Sequence, residues 1–307
     1  MTADVIVVTY EAREHTLRCL EHLLAACRPQ DRVIVVDNAS SDGTAAAVRR
    51  RFPVVRVLAM PENVGFGRAV NAGVAAGEGE AVVLVNNDLF VEPPFVGALL
   101  AALEADPDVG MVAGLSLVPG GELVDGFGIE LDVTLAAYNR LRLRPPSAAP
   151  GVLAGPSGGA AAYRRRAFEA AGGFDAALFA YGEDADLALR LRRAGWRAAA
   201  APQARGVHLG GASVGAGSPL QRRLGGFARG FLLRRYGMLR SRAAPRALAI
   251  EALVIGWGLV RFRTAIPLTA RIAGWRAAGA HREPVDPAAI DRTIDVREAI
   301  RRLARAR

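Results

Sequence analysis

Residues 82–94, VVLVNNDLFVEPP, decide the reading of the fold. A β-branched apolar run stops at two asparagines and an aspartate, and two prolines follow within six residues. Continuous Val and Leu of this kind suit a strand buried on both faces. Pro93 and Pro94 suit the first turn of a helix over about 94–105. Asn86, Asn87 and Asp88 then sit at the carboxyl end of a strand, where open α/β sheets bind their ligands. A plain turn would use the same residue types, so the rest of the chain has to choose.

The pattern recurs. VIVVT (5–9), VIVVD (33–37), VVRVL (54–58) and VGMVAG (109–114) read as further strands. Helical periodicity separates them over about 14–27, with Leu17, Leu20, Leu23 and Leu24 on one stripe, and over 43–51 and 66–76. Ser40, Ser41 or Asp42 would cap the second of these helices. The alternation predicts a mostly parallel sheet with helices on both faces. Its strands end in TYE (9–11), DNASSDGT (37–44), MPENVGFGRAVNAG (60–73) and NND (86–88). Those polar ends would converge on one sheet edge. Farther on, 127–133 reads as a strand and 141–151 as an exposed loop. A small-residue strand, a helix over 165–171 and a helix over 183–194 closed by Gly195 follow. Arg164–Arg166 reads as a solvated helix start, and Asp186 as an acid placed for the helix dipole. From 218 the chain reads as helical and basic, its last helix spanning about 287–305.

Charge is divided unevenly along the 307 residues. All 39 basic side chains are arginine; residues 1–210 hold 20 of them against 24 acids, and residues 211–307 hold 19 against 6. A basic rear predicts contact with something anionic. Arg alternates there with Leu, Phe, Tyr and Met, so 219–282 is expected to meet an anionic membrane surface. A cap on the catalytic body and an oligomer interface are the other uses of such helices. The apolar stretch 247–260 contains Glu251 and is too short to span a bilayer. The first residues carry no signal-peptide pattern, and Cys19 and Cys27 have neither metal nor disulfide spacing. A cytoplasmic protein, peripheral on the inner face of the plasma membrane, is expected. Aromatic residues make up only 6% and the front is slightly acidic, which argues against a nucleic-acid groove.

The segments VVTYE, VDNASSDGT, ENVGFGRAVNAG, VNNDLFV, SGGAAAYRRRAFEAAGGFD and YGEDADLALRLRRAGW, in this order, carry a resemblance. Over residues 4–210 the chain resembles the family 2 inverting glycosyltransferases of GT-A fold, in particular bacterial rhamnosyltransferase-like members. The resemblance implies a GT-A catalytic domain over 1–215, with a nucleotide-sugar half over about 1–115 and an acceptor half over 116–215. A helical extension over 216–307 matches the family only loosely. It implies a nucleotide-diphosphate sugar donor, a divalent cation (Mn²⁺ or Mg²⁺) and a glycan or lipid-linked glycan acceptor. By position, Thr9, Tyr10, Glu11, Asp37, Asn63, Gly65, Asn71 and Asn87 would shape the nucleotide site. Asn86 and Asp88 take the place of the family's DXD pair, with His208 as a further metal ligand. Asp184 would be the catalytic base and Glu183 its partner toward the acceptor. Two positions depart from the family: Glu11 stands where asparagine is common, and Asn86 replaces the first aspartate.

The residue chemistry agrees with these roles. Hard cations take one or two carboxylates plus phosphate oxygens, and an imidazole favours Mn²⁺. A positioned carboxylate that accepts a hydroxyl proton contributes about 10²–10⁴-fold in rate. A helix N-terminus would keep Glu183 and Asp184 ionised. The loop 208–215, HLGGASVG, would close over a donor. Two rivals remain at this level. A sugar-phosphate nucleotidyltransferase needs a glycine-rich triphosphate loop after the first strand, and VVTYEARE lacks one. A catalytically silent glycan-binding relative is separable only by turnover.

Overall fold

The apolar runs of the front half become β1 (Ala3–Thr9), β2 (Arg32–Asp37), β3 (Arg56–Ala59), β4 (Ala81–Val85) and β6 (Val109–Leu117), with a short β5 (Leu89–Val91) after β4. Between them lie α1 (Arg13–Ala26), α2 (Thr44–Arg51), α3 (Phe66–Ala75) and α4 (Phe95–Glu104). The computed structural model describes residues 1–210, 217–279 and 283–305.

The second quarter of the chain forms β7 (Val124–Gly126), β8 (Ile129–Leu131), β9 (Ala137–Asn139) and β10 (Ala160–Arg164). After them come α5 (Arg165–Ala170), α6 (Glu183–Arg193) and a long β11 (Arg197–His208). The main sheet has nine strands among the described residues, in the order β3-β2-β1-β4-β10-β6-β11-β5, with β7 on β6. Strands β1 to β4 are mutually parallel, as are β6 and β11. Strand β10 runs antiparallel between β4 and β6. The sheet is therefore mixed, where the sequence pattern alone predicts a mostly parallel one.

Side-chain alternation buries both faces. Val5, Val7, Val33 and Val35 pack with Leu17, Leu20 and Leu23 of α1 and Leu99 and Leu103 of α4. Ile6, Ile34 and Val36 point the other way, to Val70 and Val74 of α3 and Leu187 and Leu191 of α6. Each fully buried side chain of this size contributes about 1.5–3 kcal/mol, which is why a continuous β-branched run forms strand rather than an amphipathic element. The arginine triplet departs from expectation. Arg164 donates to the carbonyls of Leu103 and Val109, and Arg165 to those of Val74 and Gly79, with Asp4 as its ion partner. Only Arg166 is exposed.

The tail consists of α7 (Pro219–Arg235), α8 (Ala244–Phe262), α9 (Ile266–Ala277) and α10 (Val296–Arg305). Helices α7 and α9 meet backbone to backbone. A Cβ on Gly230 would land on the Arg271 carbonyl, and one on Gly274 on the Phe227 carbonyl, so glycine sets the crossing distance. The expected helix over 287–305 is shorter. Asp291 Oδ1 accepts from Thr293 N in a turn that precedes α10, and Asp295 Oδ1 accepts from Glu298 N and caps its start. The tail is fastened to the front half by charge. Arg246 pairs with buried Asp132 at 3.1 Å, Arg302 with Glu130, and Arg235 with Asp175 and Asp186. Part of the basic excess thus answers acids of the same chain. Among the described residues no helix is long and apolar enough to cross a membrane.

Candidate active site

Chain order changes direction between β1 and β4, which are neighbours although β2 and β3 intervene in sequence. Their carboxyl ends flank a crevice, as the topological rule requires. Because β10 is antiparallel, its amino end joins them: Asn86 N donates to the Gly159 carbonyl at 3.0 Å. Strand β11 pairs with β5 so that His208 lies opposite Leu89, and Leu209 N donates to the Asp88 carbonyl. The result is a cavity of about 420 Å³. It is lined by Thr9, Tyr10, Asn63, Gly65, Asn86, Asn87, Asp88, Glu183, Asp184 and His208 of the residues expected from sequence.

Three expected residues are not in that lining. Glu11 sits in a left-handed turn at φ 48° and accepts from Ser41 N. Asp37 is buried and accepts from Ser40 N at 3.2 Å. Asn71 clasps the loop after α5, donating to the Phe174 carbonyl at 2.8 Å and accepting from Phe174 N at 3.0 Å. Their neighbours take the contact instead. Asn38 lines the cavity; its amide donates to Asn63 Oδ1 and its carbonyl accepts from Val64 N, which fixes the 63–65 turn. Gly65, at φ 85°, lets that turn pass directly beneath the Phe179 carbonyl. Asn87 donates to Thr9 and Thr16 and ties the ends of β4 and β1 to α1.

At the far wall His208 is held between two carboxylates. Its Nε2 is 3.1 Å from Asp88 Oδ1 and its Nδ1 2.8 Å from Asp125 Oδ2. Burial alone would lower the imidazole, but the hydrogen bonds and charges of Asp125 and Asp88 raise it to about 10. Burial likewise works to raise Asp125, yet His208 and Arg142 hold it below the ordinary range. Asp125 and Asn139 escape the sequence reading because β7 and β9 are three residues each; only the aspartate followed by glycine in LVDGFG hints at a turn there. The donor set suits a hard or borderline divalent ion: one carboxylate at 88, an amide carbonyl at 86 and an imidazole at 208 that would give up its Nε2 proton on binding. Among the described residues no three His, Cys, Asp or Glu side chains converge as a closed metal cage, so substrate phosphates would have to complete the shell. The loop expected to close over a donor falls largely at 211–215, outside the described residues.

The opposite wall is the start of α6. Tyr181 and Gly182 both take left-handed conformations, at φ 68° and 80°, and this double turn aims the first residues of α6 at the cavity. Glu183 and Asp184 do not both stay ionised, contrary to the helix-dipole expectation. Burial, and then the Asp184 charge, push the Glu183 carboxyl up to about 8; burial raises Asp184 as well. Ala185 N and Gly158 N donate to Asp184, whereas Glu183 Oε2 is buried without a hydrogen-bond partner. These donors favour the charged form at Asp184, and the lack of one favours the neutral form at Glu183. Asp186 is more than a helix-start acid: it is fully buried and bonds Arg190 and the Tyr236 hydroxyl.

Comparison with known proteins bears on the family and the fold. A sequence model of the family described as Glycosyl transferase family 2 matches residues 4–172. N-acetylglucosaminyl-diphospho-decaprenol L-rhamnosyltransferase of Mycobacterium tuberculosis is 34% identical over 232 residues, covering 66% of this chain and 75% of that protein. The mannosyltransferase PcManGT of Pyrobaculum calidifontis, solved with GDP-Man and Mn²⁺, superposes with a TM-score of 0.54 at 21% identity, covering 90% of this chain and 86% of its own. GalNAc-T7, solved with UDP, GalNAc and Mn²⁺, gives 0.59 at 13% identity over 85% of this chain and 57% of its own. At such identities the superpositions show a shared GT-A fold.

Proposed function

The chain belongs to glycosyl transferase family 2 and is a glycosyltransferase, and from that premise we propose that it moves a sugar, with inversion, from a nucleoside-diphosphate donor to a glycan hydroxyl. The acceptor is a lipid-linked glycan and the sugar a rhamnose. The name of the mycobacterial relative supports both, since it describes rhamnosyl transfer to a polyprenyl-diphosphate-linked sugar. The observation that carries the reading is one cavity with Asp88 and His208 on one wall and Asp184 on the other.

In this reading Thr9, Tyr10, Asn38, Asn63 and Gly65 form the nucleotide end. Glu11, Asp37 and Asn71 hold the surrounding turns in place. A bound Mn²⁺ or Mg²⁺ would neutralise the charge that develops on the departing diphosphate; Asp88, His208 and Asn86 would hold it. Asp184 accepts the proton of the attacking hydroxyl as the new carbon–oxygen bond forms and the sugar–phosphate bond breaks. Protonated Glu183 offers the acceptor a hydrogen bond rather than a second charge. Asp125 orients His208 from behind.

The test is donor binding. A panel of nucleotide sugars should raise the melting temperature with Mn²⁺ present, and Asp88→Ala should remove that response with an affinity loss of about 10–100-fold or more. An Asp88→Ala protein that binds donor as the parent does, with the same Mn²⁺ dependence, would overturn the site.

A further inference from the structure

The tail presents an apolar surface that the catalytic reading leaves unused. In α8, Ala247, Ile250, Glu251 and Gly258 are buried, whereas Leu248, Leu253, Leu259 and Val260 are exposed. At about 100° per residue these outward positions, together with Trp257, cover half the helix circumference. Val260 is 81% exposed and Leu253 57%, and between Leu248 and Val260 no charged side chain faces out, since Glu251 is buried. A helix that faces only water carries charge on that side.

The surrounding charge has one sign. Glu251 is the only acid in 219–277, and it is buried between Arg229 and Arg271. The exposed charges of α7 to α9 and their connections are Arg223, Arg240, Arg242, Arg261, Arg263 and Arg276. We propose that the outward face of α8, with Arg261 and Arg263 at its carboxyl end, docks on the surface of an anionic phospholipid bilayer. Apolar side chains enter the headgroup boundary and arginines meet lipid phosphates. The charge decides against a second copy as the occupant. A symmetric pairing through this face would bring the exposed arginines at the two ends of α8 toward arginines of the other copy, with no exposed acid of α7–α9 to receive them.

The docked face leads to the cavity. The Arg222 guanidinium lies 3.8 Å from the centre of the Phe262 ring, at the end of α8. Leu220 and Leu224, on the same turns of α7, line the cavity. A membrane bound along α8 would lie next to the cavity mouth, where an acceptor with a lipid tail arrives. That last step rests on the proposed acceptor; the docking itself does not.

Co-sedimentation with phosphatidylcholine vesicles, with and without one-third phosphatidylglycerol, tests the proposal on the full chain without donor or acceptor. Binding to the anionic vesicles alone is expected, weakened by salt, and reduced about tenfold or more in the Leu253→Glu, Val260→Glu double variant. Both positions are exposed, so circular dichroism and transfer to a water-soluble acceptor should be unchanged. Absence of binding by the parent chain, or equal binding by the double variant, would overturn it. So would a lipid-free dimer that the double variant converts to monomer while vesicles capture neither. Because no substrate is present, vesicle binding stands or falls separately from the choice of sugar.

Discussion

Asp184 and Glu183 are neighbours in sequence with opposite assignments, and single substitutions separate them. Asp184→Asn keeps the volume and removes the proton acceptor. Donor affinity should stay within about threefold while turnover falls by about 10²–10⁴-fold, read by calorimetry and by single-turnover transfer. Glu183 bears on stability. Its carboxyl is raised from 4.5 to about 8, so the folded chain keeps a proton that the unfolded chain gives up in that interval. Stability therefore falls as pH rises from about 4.5 to 8. Glu183→Gln should match the parent near the bottom of that window and exceed it increasingly toward the top, with urea midpoints as the measurement. Asp88 and Asp184 stand out locally, at a strand end and a helix start, whereas their roles, and His208 altogether, came from the family resemblance. Asp125 and Asn38 were not legible, since each matters through a partner brought close by strand pairing. The upward shift of both carboxyls was invisible too: it depends on burial that the helix-start rule does not include.

At the scale of elements, strands β1, β2 and β4 and helices α1 to α4 lie within a few residues of their periodicity. Strand β11 does not show in sequence. It is built of Ala, Arg, Gln and Gly with Pro202 inside it, and its register slips between Ala201 and Arg205, so tertiary pairing rather than propensity makes it extended. The antiparallel run of β10 was equally hidden, because periodicity carries no direction. The α7–α9 crossing gives a sharp expectation. Gly230→Val would press a branched side chain onto the Arg271 carbonyl and should cost about 1–3 kcal/mol or more in denaturant unfolding, whereas the same change at solvent-facing Gly225 should cost about 1 kcal/mol or less.

For the whole molecule, the division into catalytic front and helical rear is one of sequence more than of stability. Asp132 and Glu130 are buried in the front half and draw their arginines, Arg246 and Arg302, from the rear. Stranding a buried carboxylate costs about 3–5 kcal/mol, and total stability of a domain is about 5–15 kcal/mol. A chain ending at residue 215 should therefore show no cooperative thermal transition, while the full chain shows one by calorimetry. The basic rear was legible as a charge imbalance, but the front-half acids that answer Arg235, Arg246 and Arg302 cannot be located by counting.

The reversed course of β10 has a consequence for how such chains diversify. The excursion that feeds it, residues 140–159, reaches the crevice from outside the layer of strands and ends at Gly159 beside Asn86. Its ends are tied to β7 and β8, through Val124 with Leu143 and Arg144 and through Ile129 with Ala154 and Gly155, so a change of length between those ties leaves the β10 register and the donor side intact while altering what flanks the recipient's doorway. A new linkage can arise by rewriting one detour.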